Sequence, residues 1–386
     1  LSITYTQHTW TVVAVLVLGT AVLYLVRSRK VAPALRATKG EPHLTRSGAK
    51  HLSFLVPFRA SLQLVTIACI LAVDFQVFPR RFAKTETFGT SLMDLGVGAF
   101  IFSGGVVAGP RLLADTDDFM PRLSKSFRTA SPVLLLGIVR MILTKGVNYQ
   151  EHVTEYGVHW NFFITLGLVP IFVALFRALN SNVDLGRLGL RVALVYMACL
   201  RIGNLEDYIL NAPRDNIINM NREGICSFFG YLAIFLFAAE IGIRLQKVFD
   251  ASADEHKELL HLLGMLVVAF FMSVYTFDIR VSRRMANISY IVWVSAASLI
   301  HIIGCAYIDK FLHARDAPKV PLLFESINQN QLAVFLVANL LTGAVNLTIN
   351  TLAVPDIAAF AILAGYLFSV SAVATVAHAL NWRLKL

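Results

Sequence analysis

Ionisable residues that interrupt long apolar runs are the groups in this chain able to do chemistry, and Asp74 is the first of them. It follows LQLVTIACILAV without an intervening charge, at or just inside the end of an apolar helix, where an ionisable side chain is by default a functional candidate. Lys84 comes ten residues later, beyond Phe-Pro-Arg-Arg. Pro79 lacks an N–H and disfavours helix at Phe78, so the chain is expected to turn there and bring Lys84 back toward Asp74. Asp74 and Lys84 are the catalytic candidates, as an acid–base couple. The plainer alternative is a structural ion pair closing the helix end, or an Asp held by Arg80 or Arg81.

The segment TKGVNYQEHVTEYGVHWNF places His152, Glu155 and His159 at spacings of three and four, which is one face of a helix. Three ligand-type side chains on one face could hold a metal. The motif is not HExxH, however, no further Cys or His cluster adjoins it, and Gly157 interrupts it, so no metal is assigned. Proton transfer, hydrogen bonding to substrate hydroxyls or a structural polar network are the stronger readings, and Asn161 joins this group. Asn221, Arg222 and Glu223 precede Gly224 and a new apolar run; a guanidinium at the positive end of a helix dipole suits phosphate. Arg283 and Arg284 reinforce that reading, although basic residues beside a membrane span commonly snorkel as anchors. Asp94 stands among small residues in DLGVG, where structural pairing is as good an account as substrate binding. Asn339, Asn346 and Asn350 form a polar stripe that helix–helix hydrogen bonding explains. No HxxxxD, GxSxG, P-loop or HHxxxDG motif occurs, so neither a covalent acyl-enzyme nor a nucleotide-driven pump has visible machinery.

The elements that must position these residues are membrane helices. The 386 residues are 56% hydrophobic and 15% charged, with mean hydropathy +0.65, against roughly 45–50% and about 25% in soluble domains. That excludes a soluble enzyme. The four cysteines lie in apolar runs without CxxC spacing, so no disulfide framework or zinc site is encoded. A spanning helix needs roughly 20 apolar residues. Eleven candidates meet that demand, near 9–26, 55–77, 89–109, 131–148, 158–179, 187–204, 225–243, 258–276, 288–308, 331–353 and 356–379. They form one all-α, polytopic transmembrane domain over residues 1–386.

If every candidate crosses, 22 of the 34 Lys and Arg residues fall on one side, nine on the other and three within spans. The richer side is expected to be cytosolic, and the excess of basic charge is read as contact with membrane lipid, not nucleic acid. The poorer side carries the polar segments 78–86, 149–156, 219–223 and 278–287. Alternation alone gathers them at one mouth of the bundle.

At these same residues the chain resembles a known family. ILAVDFQVFPRRFAKTETFGTSLMDLGVG, NYQEHVTEYGVHWNFF, NREGICSFFGYLA, VSRRMANISYIVW and QNQLAVFLVANLLTGAVNLTINTL closely resemble the inositol acyltransferases of glycosylphosphatidylinositol (GPI) anchor synthesis, called PIG-W in animals and GPI-anchored wall transfer protein in fungi. The resemblance implies a multi-pass endoplasmic reticulum membrane protein of about thirteen spans, so N-terminal spans are expected to precede Leu1. It implies transfer of a fatty acyl chain, typically palmitoyl, from acyl-CoA as co-substrate to the inositol of glucosaminyl-phosphatidylinositol. No cofactor is implied. It maps the catalytic couple onto Asp74 and Lys84. Beside it, the residue reading above gives His152, Glu155, His159, Asn161, Asn221, Glu223 and Asp94 as substrate contacts or support, and Arg222 with Arg283 or Arg284 as phosphate contacts. The rival readings are a lipid or proton-coupled transporter using the same carboxylates as a relay, and a noncatalytic assembly subunit.

Overall fold

The computed structural model describes residues 52–146, 153–179, 184–250, 255–313 and 320–383, which are helical with no strand among them. The long helices are α1 (Leu55–Ala72), α2 (Leu92–Ala114), α3 (Phe119–Gly146), a single turn α4 (Val153–Tyr156), α5 (Phe162–Leu179), α6 (Leu185–Arg201), the short α7 (Leu205–Asn211) and α8 (Ile217–Met220), then α9 (Arg222–Asp250), α10 (Glu255–Phe271), α11 (Ile288–His313), α12 (Leu322–Gln329), α13 (Gln331–Thr348) and α14 (Asp356–Ala379).

Eight of these are long and apolar enough to cross a membrane, or nine if α6 and α7, bent by 68° at Ile202–Asn204, make one broken span. The expected count of about eleven is therefore not reached among the described residues. The candidate at 9–26 lies outside them. The one near 158–179 is a shorter apolar helix, Phe162–Ala178, because Asn161 caps it late: its Oδ1 accepts from the backbone N–H of Phe163 at 3.0 Å. The one near 187–204 breaks where Asn204 takes φ 51°.

Helix α9 is the hub, packed against α2, α6, α5, α10 and α11. Small residues permit this. A Cβ on Gly109 of α2 would strike the backbone of Ala239, and one on Gly242 of α9 would strike that of Val106, so the two helices meet at backbone distance as membrane helices do when small residues line the seam. A second, smaller core joins α1, α12, α13 and α14 around Ile67, Leu71, Phe75, Val334 and Val370. Helices α1 and α13 run parallel, because Arg59 bonds to Gln331 and Asp74 to Asn346 with the same sequence offset of 272.

Candidate active site

The loops that follow α1, precede α5 and α9, and link α10 to α11 meet at one end of the bundle, as alternation of the spans requires. Each is pinned by side-chain to backbone bonds. Arg80 reaches back to the carbonyls of Val73 and Phe75 at 2.7 and 3.4 Å, fixing the 80–82 turn against the end of α1. Asn221 Oδ1 accepts from the backbone N–H groups of His159 and Trp160 at 2.7 and 2.9 Å. Gly157, at φ +109°, lies against Met220 and Asn221, where any Cβ would collide. Ser282 donates to the Thr87 carbonyl at 2.6 Å, and Asn287 holds the 277–287 loop through Arg280 and Tyr290.

Charged side chains fill the space between the loops. Asp94 is fully buried and closes a reciprocal cap at the start of α2: Ser91 Oγ accepts from the Asp94 N–H and donates to its carboxylate. The same carboxylate accepts from Thr85 N–H and Oγ1, and from Arg283 Nε at 2.9 Å. Arg283 Nη1 continues to Glu155 at 3.1 Å, and both oxygens of Glu155 accept from Lys84 Nζ, at 2.8 and 2.9 Å. The order Lys84, Glu155, Arg283, Asp94 thus alternates in sign. Burial pushes the Glu155 carboxyl up, but Lys84 and then Arg283 more than offset it and hold the group at about 2. Burial opposes the charge on Arg283, but Glu155, Tyr231, Tyr156 and Asp94 together outweigh it, so its guanidinium is raised above its ordinary value.

A second cluster adjoins the first through the neighbouring arginine. Arg284 donates to the buried Glu223 at 2.8 Å and to the Ile209 carbonyl at 3.3 Å. Arg214 also pairs with Glu223, and Arg222 Nε donates to the same Ile209 carbonyl at 2.9 Å. Arg222, Arg283 and Arg284 are therefore buried and bonded to protein acceptors that tie the loops together, with Arg284 Nε left without a partner. Arg81, which the sequence offered only as a possible partner of Asp74, takes another place. It lines a cavity of about 300 Å³ with Phe82, Thr90, Ser91, Leu95 and Trp293, its guanidinium stacked 4.9 Å over the Phe82 ring. Nothing but its neighbour Arg80's anchorage to the end of α1 marks it out, and that is invisible before folding.

The expected Asp74–Lys84 pair is not formed. Beyond the 80–82 turn the backbone becomes extended at Ala83, which carries Lys84 away from α1 and across to α4. Asp74 is half-buried beyond the last turn of α1 and accepts from Asn346 Nδ2 at 2.8 Å. Asn346 comes from the stripe on α13 that had been read as helix–helix hydrogen bonding, a role this bond fulfils while placing it on the candidate base. His159 faces Asn221 at 3.2 Å. Asn161 donates to the Gly137 carbonyl in addition to capping α5. His152 lies outside the described residues. No metal-binding group of His, Cys, Asp and Glu occurs among the described residues.

These features define a multi-pass helical membrane protein with one polar, ion-paired end. Its relatives are similar over most of their length. The chain is 40% identical to GPI-anchored wall transfer protein 1 of Gibberella zeae, over 93% of this chain and 79% of that one, and 42% identical to the protein of the same name in Yarrowia lipolytica, over 87% and 74%. It is 37% identical to the phosphatidylinositol-glycan biosynthesis class W protein of Dictyostelium discoideum, over 86% and 75%. A family model, GWT1, matches residues 1–377. The chain belongs to the GWT1 family.

Proposed function

We propose that this protein acts in GPI-anchor biosynthesis in the endoplasmic reticulum membrane, as an acyltransferase that moves a fatty acyl chain, typically palmitoyl, from acyl-CoA to an inositol hydroxyl of glucosaminyl-phosphatidylinositol. The names of its relatives support the pathway. The observation that carries the chemistry is the state of Asp74. At the polar end, Asp94, Glu155 and Glu223 are each neutralised by one or more cations, whereas Asp74 meets the uncharged amide of Asn346. A general base needs a carboxylate with a free lone pair and no cation holding its charge.

In this reading Asp74 takes the proton of the inositol hydroxyl as its oxygen attacks the thioester carbon. The C–O bond forms, the C–S bond breaks, and the departing thiolate leaves as the thiol by recovering that proton. Lys84, 41% exposed, spends two contacts on Glu155 and has three N–H donors; the third can meet the oxyanion that develops on the acyl carbonyl. The cavity beside Arg81 supports a place for the acceptor headgroup, with a guanidinium for the phosphodiester and Trp293 for the sugar face. In this reading the end poorer in Lys and Arg faces the lumen. The test is Asp74→Asn in purified, membrane-reconstituted protein: acyl transfer is lost while insertion and folding are kept. Turnover equal to wild type would refute the assignment.

A further inference from the structure

The ion-paired lattice is graded in exposure. At one end the Asp94 side chain is fully buried, Arg283 is 5% exposed, Glu155 15%, and Lys84 at the other end 41%. Buried pairs lock structure, but an ion pair at an open surface adds little to stability. The exposed end of the lattice is therefore poorly accounted for as a staple between loops. A lysine there would ordinarily wander, since its charge sits at the tip of a flexible four-carbon stem. Here both root and tip are fixed. At the root, the next residue, Thr85, gives its N–H and Oγ1 to the Asp94 carboxylate at 3.1 and 2.9 Å. The segment beyond it is fastened to the 277–287 loop, by Ser282 on the Thr87 carbonyl and by the Gly89 N–H on the Val281 carbonyl at 2.8 Å. At the tip, Lys84 Nζ meets both oxygens of Glu155.

Both carboxylates answer to one guanidinium. Arg283 gives Nε to Asp94 at 2.9 Å and Nη1 to Glu155 at 3.1 Å, and because its fork is planar and rigid it sets the distance between the group that holds the root and the group that holds the tip. Glu155 stands on α4, a single turn too short to be stable alone. The Gly157 N–H closes that turn on the Val153 carbonyl, and the Val158 N–H donates to the Met220 carbonyl, both at 2.9 Å, so α4 is fastened to the entry of α9. An ammonium has three N–H donors. Two contacts to one carboxylate leave one of them over and fix the direction in which it points.

Resting on the acyl-transfer reading, in which Lys84 meets the developing oxyanion, we infer that Glu155 is a positioning residue that aims the Lys84 ammonium, with Arg283 and Asp94 setting where it stands. Oxyanion stabilisation depends on donors held in place before the charge develops, and a misplacement of about 1 Å can cost on the order of a hundredfold in rate. The test is a double-mutant cycle between Glu155→Gln and Lys84→Ala in reconstituted protein, with palmitoyl-CoA and glucosaminyl-phosphatidylinositol as substrates. Glu155→Gln alone is expected to lower kcat about ten- to a hundredfold, the worth of a charged hydrogen bond, with KM for both substrates nearly unchanged. In Lys84→Ala, whose residual transfer is read as product accumulated over hours, the same substitution should cost less than about twofold, because the group it aims is gone. Equal losses in the two backgrounds mean that Glu155 acts on the fold alone and overturn the inference, as does a wild-type kcat in Glu155→Gln. Wild-type turnover in Lys84→Ala overturns the underlying reading of Lys84 instead. Glu155→Gln that fails to fold is replaced by Glu155→Asp, which keeps the charge and draws it back by one methylene. A kcat about tenfold down at a melting temperature near that of wild type supports the aim; a wild-type kcat counts against it.

Discussion

The two polar regions around the candidate site are built on opposite principles. Where the loops meet, Asp94, Glu155 and Glu223 are enclosed by Lys84, Arg283, Arg284 and Arg214, and each carboxylate is bonded several times over. At the end of the α1–α13 seam, the Asp74 carboxylate has one neutral partner among the described residues. Charge-matched groups in a low-dielectric setting lock structure, since separating any one leaves the others stranded. A carboxylate held by a single amide has a lone pair left for use. Residue type therefore does not distinguish the reactive acid from the structural ones here; the degree of neutralisation does.

The sharpest way to break this contrast is to remove the centre of the lattice. Arg283→Met leaves Asp94 and Glu155 facing each other without the guanidinium they share, and loss of one partner of a buried pair costs about 3–5 kcal/mol. Thermal unfolding in detergent should fall by many degrees and little folded protein should be recovered. A variant as stable as wild type would mean that the loops are held by their backbone bonds alone.

Asp74→Asn should divide the two regions the other way. The amide replaces a carboxylate that no cation holds among the described residues, so the melting temperature should stay within a degree or two. Turnover should fall about 10²–10⁴-fold, the usual worth of a general base. Loss of stability comparable with Arg283→Met would place Asp74 among the structural acids.

Much of this was legible beforehand because membrane helices alternate sides. Apolar runs of the right length place 78–86, 149–156, 219–223 and 278–287 at one end whatever their partners, and the loops do meet there. Pairing within the end was not legible. Lys84 is close to Asp74 in sequence, and a proline turn between them invites a couple; the extended backbone from Ala83 sends the side chain instead to Glu155, 71 residues away. Arg283 and Arg284 read as phosphate ligands because their carboxylate partners come from distant segments, and Arg222 because its Nε acceptor is the Ile209 carbonyl thirteen residues back. Asn346 had a readable place on a polar stripe, but its acceptor is 272 residues distant, a separation across which spacing conveys nothing. Asn161 carried a usable signal, since an Asn directly before an apolar run is a cap by composition.

The lattice also makes a pH prediction. Lys84 and Arg283 hold folded Glu155 at about 2 against an ordinary 4.5, so below about 4.5 the unfolded chain binds a proton that the folded one refuses. The stabilisation is whole above that point and drains away as pH falls toward about 2, by up to roughly 3 kcal/mol at 1.36 kcal/mol per unit. Between pH 6 and 3 the melting temperature of wild type should therefore decline more steeply than that of Glu155→Gln. Parallel declines would show that Glu155 does not bear the paired charge.

The smallest effect, and the finest test of the contrast, belongs to Asn346. Its amide fixes one oxygen of Asp74, so it is a positioning residue whose loss should misaim the base. Asn346→Ala is expected to lower kcat about three- to tenfold, the loss of one net hydrogen bond of about 1 kcal/mol, with KM for donor and acceptor nearly unchanged. Asn346→Asp should be worse than Ala, because a second carboxylate at 2.8 Å would compel the two to share a proton and convert the lone base into the kind of coupled group found in the lattice. Should Asp equal Ala, the amide is only a helix–helix contact and orients nothing; should Asp exceed it, the chemistry depends on Asp74 having a neighbour that donates and carries no charge.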